Sequence, residues 1–424
     1  MLRSLRPLRS PSRGPSSARS SLSLRALGAL GAHVALAGLV VACGGAPEGS
    51  ATTGEGASAI IRGEASTDAQ NAVVLLVTLG DSGIGQCTGT LIAPNLVLTA
   101  RHCVSATRDE GVACRDDGTP IAGGKITRDK VPSSIYVITG LDRPTRPEAQ
   151  GQGAKLFVSS SDNLCNNDIA LVLLKAPVKD AMIAPIRLDA PANVDETLTA
   201  VGWGVTEKTP ETRVRMQRTG VPITAVGSNQ KTQTGPNEFS VGESICSGDS
   251  GGPAFSETGG GIIGVVSRGG NGTQPTSNPA SSCLGSYASN IYTGLNGFRD
   301  LILDAFAEAG AEPWLEGEGD PRLAKDGEAC TAPAACRSNV CLGGKCTPSC
   351  AKKACAAGLV CQESGGAKAC VPPPPPGGEP GATTTTTTGC SSSPAPGTAG
   401  QGLAAIVAAS ALVAGARRRR RTPR

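Results

Sequence analysis

At 424 residues the chain is too long for one ordinary domain, and 57 glycines, 31 prolines, 16 cysteines and only 2% aromatic residues argue for a loop-rich, exported, oxidised protein rather than a cytosolic enzyme. The net charge of +4 gathers at the two ends, with five arginines in Arg417–Arg421, so no basic face for nucleic acid is implied.

In chain order, an Arg-rich, acid-free stretch to Arg25 and an apolar run from Ala26 to Ala42 read as an export signal, 1–42. Val40-Val41-Ala42-Cys43 resembles the lipobox of bacterial lipoproteins, which implies a lipid on Cys43. Residues 43–59 are small and polar, a tether or propeptide with nothing to bury. From Ile60 the pattern changes to short β-branched runs between turn residues: 72–79, 90–100, 133–140, 169–176, 197–204 and 261–269. That rhythm predicts an all-β barrel or sandwich. One helical pattern closes the region, with Leu295, Phe298, Leu301, Ile302, Ala305 and Phe306 on one face.

An acidic Gly/Pro segment, 312–325, is expected as a linker to a second unit, 326–371, with eight cysteines at 330, 336, 341, 346, 350, 355, 361 and 370. No pair is spaced C-x-x-C and the unit holds no histidine, so four disulfides replace a core and no metal is expected. A Pro/Thr-rich spacer, 372–389, follows. The last segment, 390–424, has Cys390, an apolar helix at 402–416 and the arginine run. Fifteen residues of helix reach about 22 Å, short of a hydrocarbon core of roughly 30 Å. The arrangement resembles the C-terminal sorting signals of myxobacterial surface proteins, which implies processing and attachment at Cys390, with a plain membrane anchor as the simpler reading.

Only two histidines exist, and His33 lies in the signal segment, so a histidine base must be His102. The string Gly248-Asp249-Ser250-Gly251-Gly252 also fits the G-x-S-x-G elbow of α/β-hydrolases, but there the histidine follows the serine, and none does here. LTARHC around His102, NNDIALVLL around Asp168, and CSGDSGGP around Ser250 resemble the three motifs of the chymotrypsin/trypsin-like serine proteases, in the same order, with Gly202-Trp203-Gly204 as a fourth landmark. The resemblance covers 60–311 and implies two six-stranded antiparallel barrels with a C-terminal helix.

By position it assigns Ser250 as nucleophile, His102 as general base and Asp168 as the acid that orients it, with the N–H groups of Gly248 and Ser250 as oxyanion hole. This chemistry calls for no cofactor. Cys87 and Cys103, and Cys246 and Cys283, match two family bridges, and Cys114 and Cys165 remain to brace the loop before Asp168. Ile60-Ile61-Arg62-Gly63 resembles the family's mature start, so cleavage after Ala59 would free an ammonium to pair with Asp249.

Ser244 occupies the base of the primary pocket, Ser267, Arg268 and Gly269 its edge, and Asn290 its wall in place of glycine. Small or medium uncharged residues are the expected preference. The sequence thus reads as a secreted, surface-tethered serine endopeptidase, made as a zymogen and acting on protein or peptide substrates. The alternative is a surface adhesion protein in which the Cys-rich module binds and the protease-like domain is scaffold.

Overall fold

The computed structural model describes residues 60–374 apart from 81–82, 109–110, 145–147, 210–211 and 365. The signal segment, Cys43, the tether and the C-terminal signal with Cys390 lie outside the described residues.

Twelve strands build the two main sheets, and a two-residue strand, Glu64–Ala65, adds to the edge of the second. The first six are β1 (Val73–Gly80), β2 (Gly83–Ala93), β3 (Leu96–Thr99), β4 (Ile135–Ile138), β5 (Gly151–Val158) and β6 (Ala170–Leu174). The second six are β7 (Thr197–Gly202), β8 (Met216–Val226), β9 (Glu238–Val241), β10 (Pro253–Ser256), β11 (Ile262–Gly270) and β12 (Ser289–Gly294). Each set closes into an antiparallel barrel. Around the first the order is β1-β2-β3-β6-β5-β4, and around the second β7-β8-β9-β12-β11-β10, the same path used twice.

Burial on both faces explains the unbroken apolar runs. In β6, Ala170, Val172 and Leu174 fill the first barrel, while Leu171 joins Ile169 in a separate cluster with helix α2 (Arg299–Ala309). Strand β3 divides likewise, Val97 inward and Leu96 and Leu98 outward. A strand covered on both sides loses the polar alternation that marks a solvent-facing one. Helix α2 brings Ile302, Ala305 and Phe306 to that cluster and ends at Gly310, whose φ of 64° is the left-handed turn that glycine accepts most easily.

Five strands lack a strong apolar run in the sequence. β8 carries Gly220 and Pro222 beside a bulge against β7, β10 is four residues long, and β5, β9 and β12 open on Gly, Glu and Ser. Packing against the closed barrel decides them, not local propensity.

Residues 312–325 differ from the expected linker. They form a strap on the protease barrels: Ile186 N–H donates to the Trp314 carbonyl at 2.8 Å and Glu316 N–H returns to the Ile186 carbonyl at 2.9 Å. Trp314 packs against the first barrel's core, and Arg322 donates to the Ala181 carbonyl at 2.7 Å. The segment's acidity is consumed in pairing, since Arg187 lies between Glu316 (2.5 Å) and Glu196 (2.8 Å). Glu316→Gln is expected to lower unfolding stability by roughly 2 kcal/mol, the scale of a hydrogen bond to a charged group, measured by urea titration.

The module consists of two tandem four-cysteine units. Cys330–Cys341 and Cys336–Cys346 cross in the first, and Cys350–Cys361 and Cys355–Cys370 cross in the second. Each unit carries one hairpin, β13 (Cys341–Leu342) with β14 (Lys345–Cys346), then β15 (Val360–Ser364) with β16 (Ala367–Val371). No described helix is long and apolar enough to cross a membrane.

Candidate active site

His102 sits on α1 (Arg101–Val104), a single turn that follows β3. The Cys87–Cys103 bridge ties this turn to β2, and buried Arg101 anchors it by donating to the carbonyls of Ser159 and Ser161. Asp168 immediately precedes Ile169 and β6, on a loop fastened by Cys114–Cys165. Its Oδ1 accepts the His102 backbone N–H at 3.0 Å, and its Oδ2 lies 2.8 Å from His102 Nδ1. The Ser267 hydroxyl, from β11, donates to Oδ2 at 2.7 Å. A carboxylate with these three contacts fixes the imidazole in one orientation.

Burial by itself pushes the His102 imidazole down, but the charge and hydrogen bond of Asp168 outweigh it and the net shift is upward, with Lys130 acting against it. Burial pushes the Asp168 carboxyl up, and the His102 charge with the hydrogen bonds from His102 and Ser267 brings it below the ordinary range.

The second barrel supplies Ser250 on a tight loop held by the first. Thr88 of β2 donates its N–H to the Ser250 carbonyl (2.8 Å) and its hydroxyl to the Gly248 carbonyl (3.0 Å), while that hydroxyl accepts the Trp203 N–H (3.2 Å). Gly251 shows how close the barrels come: at φ 75° a Cβ there would meet Thr99 Oγ1 at 2.1 Å and the Thr88 carbonyl at 2.5 Å. Gly248 has φ 98°, and neither its N–H nor that of Ser250 has a hydrogen-bond partner among the described residues. Ser250 shares a cleft of about 630 Å³ with His102 and Asp168.

Asp249 points away from this cleft. Fully buried, it accepts the N–H of Gly204 and of Cys246, both at 2.8 Å, and a Cβ on Gly204 would fall 2.6 Å from its carboxylate. Burial raises the carboxyl to about 7 against those two donors. Among the described residues it has no cationic partner. Ile60 is buried in the second barrel's core beside Ile245 and Tyr292, and Ile61 N–H donates to the Ser244 carbonyl at 2.9 Å. The segment that begins at Ile60 therefore already lies against the loop that carries Asp249.

The pocket residues are redistributed. Ser244, expected at the base, is fully buried and does not line the cleft. Asn290 does, and it caps Ser244: its Nδ2 donates to the Gly242 carbonyl at 2.8 Å and lies 3.5 Å from Ser244 Oγ. Asn290 lies against Gly269, its partner on the neighbouring strand β11, where a Cβ would approach its Oδ1 to 2.1 Å. Arg268 lines the cleft, but its guanidinium is held by Glu238 at 2.6 and 2.8 Å. Ser267 lines the cleft and its hydroxyl also serves Asp168. The sequence reading missed Thr88, the Ser267 hydroxyl and Glu238, because a hydrogen bond between barrels leaves no mark in local sequence.

Two closed antiparallel barrels, with a half-buried histidine on a buried aspartate and an accessible serine in one cleft, define a serine endopeptidase of the trypsin type. The Trypsin family model matches residues 60–283, more than half of the chain, and the chain belongs to that family. It is 31% identical over 45% of its length to phenoloxidase-activating factor 3 of Holotrichia diomphalia, covering 58% of that protein. Trypsin of Saccharopolyspora erythraea is 28% identical over 50% of this chain and 87% of its own length. Thrombin-like enzyme elegaxobin-2 of Protobothrops elegans is 29% identical over 51% and 86%. Seven disulfides in the described residues fit an extracellular setting.

Proposed function

We propose that the protein is a secreted endopeptidase in which Ser250, His102 and Asp168 act as a triad. The reading is carried by the 2.8 Å contact of His102 Nδ1 with Asp168 in the cleft that holds Ser250. His102 Nε2 takes the Ser250 proton as Oγ attacks the substrate carbonyl carbon. The oxyanion is received by the N–H groups of Gly248 and Ser250. His102 then protonates the departing amine, and water releases the acyl group by the same steps in reverse. A fluorophosphonate is expected to label Ser250 in the cleaved protein and to fail in His102→Ala; labelling that survives the substitution would sink the triad and leave the module as the functional part.

Small or medium uncharged side chains are the proposed preference at the residue before the scissile bond. The support is Asn290, whose side chain lies beside Gly269 in the cleft, with Ser244 rather than a carboxylate beneath it. Asn290→Gly is expected to raise cleavage after Leu relative to Ala by about tenfold or more in a peptide panel, since one or two methylenes are worth that much in an apolar pocket. We also propose that cleavage after Ala59 activates the enzyme, and that attachment to the cell surface depends on Cys43 before cleavage and on the C-terminal signal after it.

A further inference from the structure

Glu238 opens β9 in the second barrel, and its side chain is 0% exposed. Four donors converge on its carboxylate. Oε1 accepts the Asn166 N–H at 2.9 Å and Arg268 Nη1 at 2.6 Å; Oε2 accepts the Gly235 N–H at 2.8 Å and Arg268 Nη2 at 2.8 Å. Arg268 also donates to the Gln233 carbonyl at 3.0 Å.

Both donors that matter lie next to Asp168. Asn166 belongs to the first barrel's loop, two residues before the acid, and holds φ 62°, a left-handed conformation that costs a non-glycine residue energy and needs an anchor. Its side chain is held as well, with Oδ1 accepting the Asn237 N–H at 2.6 Å. Arg268 follows Ser267, whose hydroxyl is bonded to Asp168. We infer that Glu238 is a positioning residue, a carboxylate of the second barrel that holds the loop before Asp168 through Asn166 and the strand beside it through Arg268, the neighbour of Ser267, and so fixes the acid against His102. The inference rests on the triad assignment above.

The mechanism by which the grip acts is electrostatic as well as steric. Asp168 holds the imidazole in register and favours its charged form only while the carboxylate stays in place, and Lys130 is the other charged group acting on His102. In Glu238→Gln, one carboxylate oxygen becomes an NH2 facing the N–H of Asn166 or Gly235, two donors opposed. Arg268 loses its counter-charge at the same time. Asp168 is then expected to loosen, kcat to fall by about tenfold or more, KM to stay within about twofold, and His102 to titrate at lower pH.

Of the two histidines His33 lies in the signal segment, so in the cleaved enzyme the His102 titration is readable by NMR without turnover, with His102→Ala as assignment. The double variant Glu238→Gln/Arg268→Gln separates positioning from stability. Removing both charges avoids an unpaired buried ion, so its thermal midpoint is expected to recover while kcat and the His102 titration do not. Unchanged kcat and titration in a folded Glu238→Gln, or recovery of both in the double variant, would overturn the inference. A wild-type enzyme that fails to react with fluorophosphonate would instead count against the triad.

Discussion

Asp168→Asn is expected to reduce kcat by about four orders of magnitude while leaving the fold intact, the loss seen when a triad carboxylate is replaced by its amide. The three contacts of Asp168 give the reason. Oδ2 meets His102 Nδ1 at 2.8 Å and the Ser267 hydroxyl at 2.7 Å, and Oδ1 takes the His102 backbone N–H at 3.0 Å. An amide must set its NH2 either in the Oδ1 place, against the His102 backbone N–H, or in the Oδ2 place, against Nδ1 and the Ser267 hydroxyl. In the second arrangement the imidazole shifts its proton to Nε2, the atom that should receive the serine proton. The same change removes the charge that raises the imidazole. In the wild type the acid limb of kcat/KM is therefore expected above the ordinary imidazole range, because only neutral His102 serves as base, and in Asp168→Asn it moves to lower pH. A pH–rate series on both proteins with a small-residue ester measures this, and an acid limb that stays fixed would refute the role of Asp168.

The residues that carry the chemistry were legible because their motifs are local: His102, Asp168 and Ser250 each sit in a distinctive string. The order of the strings and the two-histidine count then left one arrangement. What positions those residues was not legible. Thr88 and Glu238 each act on the opposite barrel, through bonds spanning 160 and 72 residues of sequence, and nothing in their neighbouring residues signals the pairing. The depth of Ser244 was not legible for a related reason, since it depends on Asn290, which β12 brings over it. The strap at 312–325 read as a linker because acidity alone does not disclose a partner, and Arg187 is far away in sequence. The module's repeat was hidden because its two units space their cysteines differently, although they are crossed alike.

Asp249→Asn is expected to leave the enzyme nearly inert even after cleavage at Ala59, with kcat/KM lower by on the order of 10²–10³, the cost of a missing oxyanion donor. The argument starts from a buried carboxylate that has only the N–H groups of Gly204 and Cys246 as partners. Held at about 7 by burial, it keeps its proton in the uncut folded chain between the ordinary carboxylate range near 4 and neutrality. The unfolded chain has released that proton across the same window, so the folded state binds more protons there and stability falls as pH rises. An ammonium freed at Ile60, whose side chain is already seated in the second barrel's core, would supply the missing counter-charge and abolish the fall. In a Ser250→Ala background, which prevents self-cleavage, the thermal midpoint of the uncut chain is thus expected to drop between about pH 4 and 7 from this group, and less so once the chain is cut or Asp249 is Asn. Under the proposed activation the cut enzyme would use the ionised acid to hold the Gly248–Ser250 loop, so loss of the carboxylate is expected to remove the switch and with it the donor geometry. Full activity in cleaved Asp249→Asn would assign Asp249 to the turn alone.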